Sequence, residues 1–267
     1  KCLNPEHPDN NPSTRVDKSS GLFNCFSCGF KGNIFTYFNI LNNTASIRVS
    51  KLKQKLTDLI QHSKPLEMPE LYVPFCRNYR GISPETYKHF GAFTTHSVEE
   101  LSDRICFPAR NSSGDIVAFI GRHLLSDSNP RYKNYPKGAK IPLVPSKLEK
   151  SNSSLVLVEG IFDMLNLYDK GLTNVVASMG TTTISKDNAQ DRFMTFKAQG
   201  VNKVYILFDG DDAGRKASQS LKPILEDIGL TVEILELPDD TDPGELSASE
   251  VKSLNTYVNN EEVHSDN

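Results

Sequence analysis

The sequence predicts an α/β protein: a parallel, Rossmann-like sheet in the C-terminal half, preceded by a mixed α+β basic subdomain and a small zinc-binding module at the start. Three observations carry that expectation. From Ser154 onward, apolar strand-like runs alternate with helical segments closed by Gly171, Gly200 and Gly229, the pattern of a parallel sheet covered by helices. Three of those runs finish on carboxylates, at Glu159, at Asp209 with Asp211 and Asp212, and at Asp239 with Asp240 and Asp242. Cysteine and histidine gather in pairs within the first 30 residues.

Residues 1–40 are rich in Asn, Pro, Ser, Gly and Cys with little helical periodicity, so something other than an apolar core must hold them. Cys2-x4-His7-x17-Cys25-x2-Cys28 supplies four ligands in two pairs, the number and type that close a tetrahedral zinc site. One structural zinc is expected there. Residues 41–74 read as helix and linker: Asn43-Thr44 is a capping signature, Ile47, Leu52, Leu56, Leu59 and Ile60 follow at helical spacing, and Pro65, Pro69 and Pro74 end the run.

Residues 75–150 combine a short helix after Ser83-Pro84 with strand-like runs at Arg104–Pro108 and Asp115–Ile120, separated by the turn signal Asn111-Ser-Ser-Gly114. Cys76 and Cys106, beside Phe75 and Phe107, read as core residues. In residues 151–247 the expected strands are Leu155–Val158, Asn174–Ala177, Val204–Phe208 and Thr231–Leu237. The helices between them are Ile161–Lys170, Ser185–Gln199 and Ala213–Ile228. Residues 248–267 are polar enough to be a frayed tail.

The chain has 267 residues, 37% hydrophobic and 24% charged, ordinary for a globular protein with a real core. No run approaches the length of a membrane span, and the start, Lys1-Cys2, is neither a methionine nor a signal peptide, so the native N-terminus is expected to lie elsewhere. Five cysteines without secretory context argue against a disulfide framework and for a metal site in a reducing cytoplasm. Net charge is only -3 but uneven: Lys and Arg outnumber Asp and Glu by 9 to 6 in residues 1–76 and by 12 to 7 in 77–150, and are outnumbered 20 to 9 in 151–267. A basic middle beside an acidic end suits a protein that grips a polyanion with one part and holds cations with another.

In a parallel sheet the carboxyl ends of the strands share one edge, so the acids at the three strand ends crowd one crevice. Carboxylates held that close repel unless divalent cations sit between them, and hard oxygen ligands suit Mg²⁺ or Mn²⁺. Taken singly, Glu159 reads equally as a neighbour of a helix cap, and Asp211 or Asp212 as partners of a helix dipole. As a set they point to metal-assisted phosphate chemistry, with two or more ions.

Glu159-Gly160 together with Asp209-Gly210-Asp211-Asp212-Ala213-Gly214-Arg215 resembles the TOPRIM motif of bacterial-type primases, topoisomerases and some nucleases. With the Cys-His-Cys-Cys module ahead of it, the chain resembles the DnaG-type primases along nearly its whole length. Tyr79–Ser83, Phe107–Arg110, Phe119–Arg122 and Pro130–Pro136 are similar to the basic N-terminal half of that family's polymerase domain. The resemblance implies that Glu159, Asp209 and Asp211 are catalytic and hold Mg²⁺, with Asp239, Asp240 and Asp242 as further acids. It implies a nucleotide and template groove lined by Arg80, Arg110, Arg122, Arg131 and Asn134, with the family's second functional lysine at Lys137 or Lys140. Two departures stand out: the family has Cys-x2-His where this chain has Cys2-x4-His7, and lysine where Arg131 stands. The x4 spacing and compact length look more like a phage primase than a bacterial one.

The resulting expectation is a DNA primase, a DNA-directed RNA polymerase that joins NTPs into short RNA primers on a single-stranded DNA template. A replicative helicase is the implied partner, the zinc module the template reader, and the host cytoplasm the location. Phe23, Phe26 and Phe30 are candidate platforms for unstacked bases, and equally candidates for packing the module. The alternatives are a TOPRIM-type metal-dependent nuclease, which would use water as the nucleophile, and a non-catalytic zinc-dependent single-strand-binding module.

Overall fold

A computed structural model of the chain describes residues 1–8, 11–18, 20–38, 65–125 and 128–260, in two compact units, 1–61 and 62–267. In the first unit three short strands, β1 (Thr14–Val16), β2 (Leu22–Cys25) and β3 (Lys31–Asn33), pair antiparallel in chain order. One helical turn, α1 (Ile34–Tyr37), follows, capped by Asn33, whose side chain accepts from the Phe35 amide at 2.9 Å. Alternation along β2 turns Phe23 and Cys25 inward and Leu22 and Asn24 outward. Among the described residues of this unit only Gly21, Phe23 and Cys25 are buried, too little to hold it by apolar burial alone. The helix expected after Asn43 lies outside the described residues.

The second unit contains two sheets. The first is antiparallel, with β4 (Tyr72–Pro74), β5 (Phe93–Thr95), β6 (Arg104–Arg110), β7 (Ile116–His123) and β8 (Tyr132–Tyr135) adjacent in chain order. β6 and β7 are the hairpin that the turn at Asn111–Gly114 announced, and β8 adds Tyr132–Tyr135 beside β7. The short helix α2 (Pro84–His89) starts where its signals place it, with Pro84 at the first position and the Ser83 hydroxyl accepting from the Thr86 amide at 3.3 Å.

The second sheet is parallel throughout, in the order β10 (Val175–Ala177), β9 (Ser154–Val158), β11 (Lys203–Ile206), β12 (Thr231–Ile234). Every residue of β9 is buried, which is why Leu155–Val158 reads as an unbroken apolar run. Each Val or Leu buried there contributes about 1.5–3 kcal/mol over the exposed state. Pairing of Ala177 with Val158, Leu157 with Ile206 and Ile206 with Ile234 brings the carboxyl ends level.

The helices between these strands are α3 (Ile161–Asp169), α4 (Ala189–Ala198) and α5 (Asp212–Asp227). Phe162, Met164 and Leu165 of α3 join a core shared with the antiparallel sheet, including Phe107, Ile120 and Tyr87. Phe193 and Phe196 of α4 and Leu221 and Leu225 of α5 form a second core. α4 starts four residues later than expected because Ser185–Asn188 is a turn, in which Asn188 Oδ1 accepts from the Ser185 amide.

The expected polar tail is corrected in part. Ala248–Asn260 is a helix, α6, that buries Val251 and Val258 and accepts a hydrogen bond from Ser154 Oγ to the Val258 carbonyl at 3.0 Å. Its start is a capping box: Ser247 Oγ accepts from the Glu250 amide while the Ser247 amide donates to Glu250 Oε2 at 2.8 Å.

Candidate active site

The acids at the strand ends are placed by backbone geometry. After β9 the chain turns at Glu159-Gly160, and Gly160 begins α3. Asp163 follows one turn in, its Oδ2 accepting from the Gly160 amide at 2.8 Å. The carbonyl of Glu159 accepts from the Gly180 amide at 3.2 Å, which brings the Ser178–Gly180 turn beside it. After β11 comes Asp209-Gly210-Asp211. A β-carbon on Gly210 would lie 2.1 Å from the Pro238 carbonyl oxygen, and one on Gly214 would lie 2.2 Å from the Asp209 carbonyl oxygen. Both approaches require glycine. Gly210 also donates to Thr241 O at 2.8 Å and accepts from the Asp240 amide at 3.2 Å, and this double clasp carries Asp242 to the cleft.

A cleft of about 370 Å³ results, lined on one side by Glu159, Asp163, Asp209 and Asp242 and on the other by Arg80, Arg122, Arg131, Tyr132 and Asn134. Burial, then the charges of Asp209, Asp163 and Asp211, pushes the Glu159 carboxyl up to about 7, although the Asp209 amide donates to it. Asp163 is likewise pushed up to about 7 by burial and then by Asp209, with Arg80 opposing. Asp209 is raised by burial, Asp242 and Asp211, and its buried Oδ1 has no hydrogen-bond partner. Four acids thus share a site whose local charge favours protons or cations.

The basic wall has its own supports. The Arg122 guanidinium lies 4.8 Å from the Phe162 ring centroid and donates to the Tyr132 hydroxyl at 2.7 Å, while its buried Nε lacks a partner. Arg80 lies 5.5 Å from the same ring. Arg104, itself buried, donates to the carbonyls of Pro130, Gly121 and Arg131 at 3.0, 3.3 and 3.1 Å and so fixes the backbone that presents Arg131.

Of the residues singled out in the sequence, Glu159, Asp209, Asp242, Arg80, Arg122, Arg131 and Asn134 meet in this cleft. Asp211 adds its charge from the rim, where its carboxylate caps α5 by accepting from the Gly214 amide at 2.7 Å. The others stand apart. Asp239 pairs with Arg215 at 2.8 Å, Asp240 occupies the turn with φ 57°, Arg110 donates to Gly114 O in its own hairpin, and Lys137 and Lys140 are exposed beyond β8. Asp163 was missed. Its signal was present, an acid in the first turn of the helix that starts directly after Glu159-Gly160, and so close to the strand end.

In the first unit, the ligand atoms of Cys2, His7, Cys25 and Cys28 all lie within 4.8 Å of one another. Cys2 and Cys28 sulfurs are 3.5 Å apart and Cys25 Sγ is 3.6 Å from His7 Nδ1. The Ser13 hydroxyl at 3.1 Å, followed by backbone amides, draws the Cys25 thiol down to about 5, the thiolate character a metal ligand needs. Among the described residues no other group of three or more potential metal ligands closes to such a distance. Of the three phenylalanines, Phe23 is buried and Phe30 packs against it at 5.7 Å. Phe26 is 69% exposed, with the Arg15 guanidinium 5.7 Å from its ring.

A parallel sheet ending on acids, fed by a basic antiparallel sheet and preceded by a Cys/His module, defines a multi-module protein of the Toprim class. Matches to known families agree module by module: residues 1–68 match the CHC2 zinc finger, 73–140 the N-terminal domain of the DNA primase catalytic core, and 156–247 the Toprim-like family. The chain belongs to the DnaG-type DNA primases, with a structural zinc in its first module. It is 29% identical over 301 residues to the DNA primase of Aquifex aeolicus (strain VF5), covering 90% of this chain and 59% of the relative. The crystal structure of the zinc-binding and RNA polymerase domains of the Aquifex aeolicus primase superposes with a TM-score of 0.56 at 25% identity, over 95% of this chain and 77% of that one. A DnaG primase catalytic domain bound to single-stranded DNA shares the fold, with a TM-score of 0.51 at 24% identity over 66% of this chain and 67% of that one. The chain therefore spans somewhat more than half the length of the curated relative it matches. Among the described residues no helix is long and apolar enough to cross a membrane.

Proposed function

We propose that this chain synthesises short RNA primers from NTPs on a single-stranded DNA template. The observation that carries the reading is the cleft itself, where the strand-end acids of one sheet face the guanidinium groups of the other across a gap of about 370 Å³. Arg122 has a buried nitrogen in want of an anion, and Arg80 and Arg131 stand beside it, so a triphosphate or template phosphate finds forked donors on one wall.

On the other wall the fit to divalent metal rests on the unpartnered Asp209 Oδ1 and on two carboxyls raised to about 7 by burial first and then by the charge of neighbouring acids. Glu159, Asp209 and Asp242, with Asp211 at the rim, are the residues that would hold Mg²⁺ or Mn²⁺, and Asp163 is close enough to join them. Bound there, such ions supply charge neutralisation at the reacting phosphate and acidify the attacking hydroxyl. The protein's part is placement. The arginines hold the incoming nucleotide, and the acids take position on the opposite side of the same phosphate. Cys2, His7, Cys25 and Cys28 are the proposed zinc ligands, with template reading as the module's task and a replicative helicase as a partner.

The test is a gel assay with radiolabelled NTPs and mixed-sequence single-stranded DNA, with and without Mg²⁺ or Mn²⁺. Metal-dependent products of a few nucleotides are expected, abolished by Asp209→Ala. Shortening of labelled DNA without NTPs would instead establish a nuclease, and binding without any product a non-catalytic module.

A further inference from the structure

Arg80 stands in a conformation that its own residue type disfavours. It has φ 53° and Gly81 has φ 74°, the two central positions of a tight turn closed by reciprocal hydrogen bonds between Tyr79 and Ile82 at 3.3 and 3.1 Å. An arginine in the left-handed region persists only where the surroundings over-determine it. Two side chains from elsewhere do so. The Tyr87 hydroxyl donates to the Tyr79 carbonyl at 2.8 Å, before the turn. After it, Asp169 Oδ1 accepts from the Ser83 amide at 3.2 Å, from Thr86 Oγ1 at 2.6 Å and from Ser83 Oγ.

Asp169 is the last residue of α3, the helix that begins at the cleft with Gly160 and carries Asp163 in its first turn. One helix therefore holds an acid of the cleft at one end and, at the other, the carboxylate that ties down the turn presenting Arg80. Burial works against ionisation of Asp169, yet the Ser83 and Thr86 donors prevail and hold its carboxyl below the usual range.

We propose that Asp169 is a positioning residue for Arg80: by clamping Ser83 and Thr86 to the end of α3, it sets the reach of the Arg80 guanidinium over Phe162 into the cleft, and so tunes affinity for nucleotide and template phosphates. This rests on the reading of Arg80 as a phosphate-binding group. Asp169 touches no substrate, and it registers the basic wall against the acidic one.

The experiment is a double-mutant cycle on the full chain with Asp169→Ala, Arg80→Ala and both, reading the Kd of a mixed-sequence single-stranded oligonucleotide, the KM for NTPs and the thermal transition. Asp169→Ala is expected to weaken binding by about tenfold, with nothing further lost in the Arg80→Ala background. Asp169→Asn, whose amide oxygen still accepts from Ser83 and Thr86, should recover most of the affinity. If Asp169→Ala does not fold, Thr86→Val removes one donor from the same clamp and should show the same dependence on Arg80. Losses that multiply in the double variant, or an Asp169→Ala protein that melts earlier but binds as the wild type does, would overturn the proposal. An Arg80→Ala protein with wild-type affinity would overturn the phosphate-binding role of Arg80 itself, an outcome distinguishable from failure of the clamp alone.

Discussion

Arg122 reaches from strand β7 of the antiparallel sheet to lie 4.8 Å from the ring centroid of Phe162, on the helix that follows β9, an inner strand of the parallel sheet. A buried cation placed on a buried aromatic face joins the two sheets at the floor of the cleft, and the contact is stabilising by roughly 1–2 kcal/mol. Because its Nη1 also donates to Tyr132, the guanidinium plane is fixed and Nε is left for a ligand.

Arg122→Ala should therefore cost about 1–2 kcal/mol in denaturant unfolding and raise the KM for NTPs by about tenfold or more. Arg122→Lys should restore little of either, since an ammonium neither stacks as a plane nor donates as a fork. A lysine variant that behaves as the wild type would reduce Arg122 to a point charge.

Two aspartates of one loop separate by geometry. Asp242 lines the cleft, carried there by the backbone clasp at Gly210, whereas Asp239 is exposed and engaged with Arg215. Primer synthesis should fall at least a hundredfold in Asp242→Ala and by less than about threefold in Asp239→Ala, because an exposed ion pair contributes little. Rates for the two variants at saturating metal check this, and comparable losses would mean that the loop rearranges when it works.

Much of this arrangement was readable in the chain because period and punctuation agree. β9 is buried on both faces and so is apolar from Leu155 to Val158, and Gly171, Gly200 and Gly229 close the helical segments between the strands. Strand ends that share an edge bring Glu159 and Asp209 together by topology alone. What escaped depended on contacts distant in sequence. β4 and β5 have three residues each, too few to display a period. Helix α6 buries Val251 and Val258 within a polar segment, and only the Ser247–Glu250 capping box announces it. Asp239, Asp240 and Asp242 are alike in sequence, and the hydrogen bonds of Gly210 and Thr241 decide which of them faces the cleft.

The acid cluster predicts an inverted pH dependence for the metal-free protein. Glu159 and Asp163 have folded-state values of about 7, above the 4.5 and 3.8 of free carboxyls. Each therefore binds its proton more tightly when folded, favouring the native state at acid pH and losing that contribution as pH rises from about 4 through 7. Urea unfolding in EDTA at pH 5 and pH 8 should show a decline across the window that Glu159→Gln makes shallower, by on the order of 1 kcal/mol for this partly exposed group. Parallel lines for the two proteins would show that these carboxyls ionise without mutual cost.

The first unit should depend on its metal for folding. Its three strands bury little besides Phe23 and Cys25, so ligand bonds must supply what an apolar core does elsewhere. Cys25 is the most enclosed of the four ligands, and Ser13 together with backbone amides favours its thiolate. Cys25→Ser replaces that thiolate with a hydroxyl that stays protonated at neutral pH and coordinates zinc weakly. Zinc content should fall from one per chain to near zero, and the calorimetric transition of the first unit should vanish while the main transition of residues 62–267 stays within about 2 °C. The two units are compact separately, so loss of one need not unfold the other. Full zinc occupancy in the serine variant would remove Cys25 from the ligand set and leave Cys2, His7 and Cys28 to hold the ion.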